Sequence, residues 1–84
     1  MKNKLSSYDY SQAERNLISG SPEIRYQIKQ ELSTKRARLD YFMSRFLEDH
    51  PDFQDVDNKR KFYNDKSDEY AKINRLLRIA DAYS

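Results

Sequence analysis

Any chemistry in this 84-residue chain would start from one acidic run: Glu48, Asp49, Asp52, Asp55 and Asp57, with the single histidine, His50, inside it. Clustered carboxylates are what a hard divalent cation binds. A calcium loop starting at Asp55 fails residue by residue. Lys59 and Arg60 stand at a ligand position and at the turn glycine, and Lys66 stands where a bidentate glutamate is needed. The run reads instead as capping and solubilising charge around a helix start, and no metal is expected. The chain has no cysteine and one glycine, which excludes thiolate chemistry and a glycine-rich phosphate loop. No catalytic residue and no cofactor are expected.

Binding is better provided for. Arg38, Tyr41 and Arg45 fall at helical spacing, and with Tyr26 they point away from the apolar residues around them. Tyrosine and arginine are the residue types that anchor protein interfaces, so these four are the candidate protein-binding residues. A second candidate surface is basic: Arg25, Lys29, Lys72, Arg75 and Arg78, suited to tracking phosphates, with tyrosine rings beside them for base stacking. The net charge of +2 is too small to imply nucleic acid by itself. Its distribution says more, because the acidic run carries no base and leaves the rest of the chain at a net positive charge. Pairs four apart, Asp68 with Lys72 and Glu31 with Lys35, also allow the bases to be read as a solvated helix face.

The elements that must position these residues are helices. One glycine and two prolines in the whole chain leave little material for tight β-turns. Pro22 to Glu48 contains no glycine and has its only proline at the start. Ser21 suits the N-cap, Pro22 the first helical position, and Glu23 the positive end of the dipole. Apolar residues at 24, 28, 32, 39, 42, 43, 46 and 47 share one side of this helix, densest from Leu39 to Leu47, where most of the core is expected. His50 precedes Pro51 and should leave the helix. A second long helix, about 56–82, with Asp55 or Asp57 as cap, repeats Val56, Tyr63, Tyr70 and Leu77 every seven residues. Its companions Lys59, Lys66, Ile73 and Ala80 make that seam wet first and dry later. Upstream, Ser11 and Glu14 fit a capping box for a short helix, about 11–19, that docks Ala13, Leu17 and Ile18 and ends at a left-handed Gly20. Residues 1–10 read as an arm.

The reading is one all-α domain over 1–84, an antiparallel hairpin of helices 22–48 and 56–82 with a short N-terminal helix. Matching distances from the turn sets Ile28 against Leu77, Leu32 against Ile73, Phe42 against Tyr63, Leu39 against Lys66 and Lys35 against Tyr70. The two lysines make a weak waist. A hairpin leaves its seam partly open, so self-association into a homodimeric, coiled-coil-like bundle is expected. No stretch is apolar enough for a signal peptide or a membrane span, which makes the cytoplasm the expected location. The composition has the look of small accessory proteins of phages and mobile elements. The expected function is contact with another protein, as regulator, inhibitor or small structural subunit, and the alternative is nucleic-acid binding by the basic end.

Overall fold

A computed structural model describes residues 8–83. The described chain is helical in the expected order: α1 (Tyr10–Ser19), α2 (Pro22–Asp49), a single 3-10 turn (Phe53–Asp55) and α3 (Asp57–Ala82). Helices α2 and α3 pack as a hairpin, and α1 lies against both. The molecule measures 45 × 31 × 15 Å. With α1 packed on a two-helix hairpin, this is a flattened slab rather than a closed bundle.

Local chemistry explains the helix ends, and it departs from expectation at three of them. Helix α1 starts two residues earlier than the capping box implies, because Asp9, not Ser11, is its N-cap and accepts from the Gln12 amide at 2.9 Å. A carboxylate serves the positive helix end better than a hydroxyl. Glu14 is thereby free to take a different partner. Gly20 ends the helix with φ −83° and ψ 172°, an extended rather than left-handed conformation. Glycine is needed there for room: a Cβ would run into the Asn16 carbonyl, which accepts from the Gly20 amide at 2.8 Å. Ser21 caps α2 as expected, accepting from the Ile24 amide at 3.3 Å, with Pro22 behind it. Helix α3 is preceded by Val56, with no side-chain cap from Asp55 or Asp57. Asp57 instead holds Arg60 at 2.7 Å, and Asp52 holds Lys59 at 3.1 Å.

The core sits at the open end of the hairpin. The buried apolar residues are Ala13, Leu17, Ile28, Leu32, Leu39, Ile73, Leu76, Leu77 and Ala80. The dry second half of α3 is where the seven-residue seam put it. The dense segment Leu39–Leu47 does not supply most of the core: only Leu39 is buried, while Phe42 and Leu47 are exposed. Burial requires a third layer, and α1 provides one only over the open half. Ile18 is likewise exposed, leaving Ala13 and Leu17 to dock that helix.

The supposed arm is partly structured. Met1 to Ser7 lie outside the described residues, but Tyr8 and Tyr10 pack against the core and against each other, ring centroids 4.9 Å apart. Tyr8 donates its hydroxyl to Glu31 at 3.1 Å, and Tyr10 to Glu69 at 2.5 Å. Lys35 lies over the Tyr8 ring at 4.9 Å. Phe42 pairs with Phe62, close to the expected register, whereas Arg36 with Asn74 and Lys29 with Asp81 fall about one turn beyond it.

Candidate protein-contact face

At the turn, α2, α3 and the 3-10 turn between them carry an aromatic cluster, with Phe53 of the turn 4.9 Å from Tyr63. Phe46 lies at its centre, 5.1 Å from Phe62, 6.2 Å from Tyr63 and 6.5 Å from Phe53. Phe42 and Phe62 meet edge to face at 5.8 Å, and they remain 46% and 37% exposed. Lys66 lies over both rings, at 5.9 and 5.4 Å. Its ammonium finds the negative faces of the rings while its stem shields part of them.

Phe42 opens into a shallow groove of about 390 Å³ that it lines with Lys35, Arg38, Leu39, Lys66 and Glu69. The groove starts where α1's entry stops, because Lys35 and Glu69 are the residues that hold Tyr8 and Tyr10. Its floor is apolar and three of its rim residues are cations. Lys35, Arg38 and Lys66 make no ion pair with a described residue.

The structure joins part of the expected strip to this groove. Arg38 lines it directly. Arg45 and Tyr41 follow outward around α2, both exposed, with Tyr41 at 67%. Tyr26 is as open, at 66%, but belongs to a different depression at the open end, about 370 Å³, lined by Pro22, Arg25, Tyr26, Lys29, Ala80 and Tyr83. The four residues therefore divide between two places. Phe42, Phe62 and Lys66 were missed as surface residues because their spacing is that of a core stripe. Their exposure follows from the shortness of α1, which ends its cover at the waist.

The basic end is largely engaged within the fold. Arg75 donates to Glu14 at 2.8 Å, joining α3 to α1, and this hydrogen bond holds the Glu14 carboxyl below its ordinary range and raises Arg75. Lys29 pairs with Asp81 at 2.7 Å, and Arg25 donates to the Gly20 carbonyl at 2.7 Å across the α1–α2 elbow. Lys72 and Arg78 are exposed on α3. Glu31 is taken by Tyr8 rather than Lys35.

At the acidic turn, no three His, Cys, Asp or Glu side chains among the described residues converge as a cation cage would require. His50 packs on Phe46 at 4.6 Å. Lys59 holds the Asp52 carboxyl below its ordinary range by direct hydrogen bonding. No helix among the described residues is long and apolar enough to cross a membrane. Compared with family models, with curated proteins and with solved structures, the chain matches none significantly.

Proposed function

We propose that the protein is a non-catalytic helical binding module that works inside the cell by contact with protein, using the turn half of α2 as its main surface. One observation carries this reading: an edge-to-face Phe42–Phe62 pair left open to water, rimmed by cations without carboxylate partners and continued by Arg38, Arg45 and Tyr41. Exposed aromatics grouped this way are costly in water and useful only when covered. Tyr41 contributes a large, mostly exposed ring to that surface. Tyr26 and its depression form a separate, smaller contact site.

The test is capture from an extract of the source cells with wild type and Tyr41→Ala side by side. Retention of a protein by wild type and its loss with Tyr41→Ala supports the reading; equal retention contradicts it. Nucleic-acid binding through Arg25, Lys29, Lys72, Arg75 and Arg78 is the weaker alternative, since Lys29 and Arg75 already hold carboxylates. Binding to DNA or RNA at about 50 mM salt, lost steeply as salt rises, would restore it.

A further inference from the structure

We propose that the Phe42–Phe62 face is covered by a second copy of this chain, laid antiparallel so that the turn half of each hairpin rests on the turn half of the other. The proposal rests on the reading above that this face is a contact surface, and it names the occupant.

The shape of the step comes first. Helix α1 and Tyr8 thicken the open half of the hairpin, and their cover ends at Lys35 and Glu69. Beyond that edge the slab is one helix layer thick and its aromatic floor is open. Two such stepped slabs, each turned end for end, fill one another's missing layer. The turn halves then become a four-helix bundle, flanked at each end by an α1.

Charge fixes the direction. Along the turn half, the waist carries Lys35, Arg38 and Lys66 beside Glu69, and the turn carries Glu48, Asp49 and Asp55. Asp40 and Arg45 lie between them, and the turn's own cations Lys59, Arg60 and Lys61 are already paired with Asp52, Asp57 and Asp65. None of the three waist cations or the three turn acids makes an ion pair with a described residue. Antiparallel stacking sets each copy's cationic waist against the other's acidic turn, twice per dimer by the two-fold symmetry. Parallel stacking would set like against like. The residues preceding Tyr8 are a poorer occupant, since they bring Lys2 and Lys4 to a face that is already cationic.

Size sets the strength. Two helices about 10 Å apart over some 14 residues present roughly 400 Å² of flat face. That is below the roughly 800 Å² per partner of a standard stable interface, so the dimer should form at micromolar concentration, dissociate on dilution and weaken with salt.

Sedimentation equilibrium tests this with two charge-reversal variants whose folding is checked by circular dichroism, since Lys35 and Lys66 are half-buried against rings. One reverses the waist (Lys35→Glu, Arg38→Glu, Lys66→Glu), and the other reverses the turn (Glu48→Lys, Asp49→Lys, Asp55→Lys). Wild type at high micromolar concentration is expected at about twice 10.1 kDa. Each variant alone should run as a monomer, because both contacts of its homodimer become repulsive. Their equimolar mixture should regain the doubled mass, because both contacts become attractive again. A monomeric wild type, a variant that dimerises alone as well as wild type, or a mixture that stays monomeric would each overturn the proposal. A monomeric wild type that still loses a captured protein on Tyr41→Ala would leave the contact reading standing and assign the face to a different partner.

Discussion

Single side chains tie the thin fold together. The two tyrosines that precede and open α1 are the clearest case. Burial, then the hydrogen bond to Glu31, pushes the Tyr8 phenol up to about 12, and the same causes with Glu69 raise Tyr10 further. A raised phenol pKa means that the folded state favours the protonated ring. The contribution to stability is whole below the ordinary value near 10 and drains away as pH climbs through the raised one. Thermal melts should therefore weaken between about pH 10 and 12, and Tyr10→Phe should flatten that alkaline decline. At neutral pH the same substitution should cost about 1 kcal/mol in chemical denaturation, the usual worth of one hydrogen bond. Gly20→Ala should be worse than its mild backbone conformation suggests, by about 1–3 kcal/mol, since its methyl group meets a carbonyl that cannot move without uncoiling α1.

Elements explain what could be read in advance and what could not. The ends of α2 were legible because Ser21, Pro22 and the His50–Pro51 step act locally, through caps and backbone sterics. The dry half of α3 was legible from its seven-residue repeat. The location of the core was not. Periodicity identifies which face of a helix is apolar, but it cannot say which stretch of that face receives a third layer. That depends on where α1 docks, a matter settled by Asp9, Tyr8 and Tyr10 in a segment with no clear period. The candidate face was half legible for the same reason: Arg38, Tyr41 and Arg45 stood out by pointing away from the stripe, while Phe42 and Phe62 were hidden within it. If α1 is the element that closes the core, its anchor should be indispensable. Leu17 is fully buried, and Leu17→Ala should cost about 2–5 kcal/mol. In a domain this small that is enough to undock α1, visible as early hydrogen exchange over residues 10–19 while the hairpin's turn half exchanges as before.

At the scale of the whole molecule, the buried core and the proposed contact face occupy opposite ends. The open half holds the buried residues, the Glu14–Arg75 and Lys29–Asp81 links and the tyrosine hydrogen bonds. The turn half holds the partly exposed Phe42–Phe62 pair and the groove rimmed by Lys35, Arg38 and Lys66. Substitutions should separate accordingly, with changes in the open half altering unfolding and changes on the turn half altering association. The measurement that tests this most directly is affinity capture with folded wild type and Tyr41→Ala, the latter matched in unfolding free energy to within about 0.5 kcal/mol as an exposed substitution should be. Contact through the turn half predicts a protein retained by wild type and released by Tyr41→Ala. Equal retention by both, or retention lost only in variants that also unfold, would contradict it.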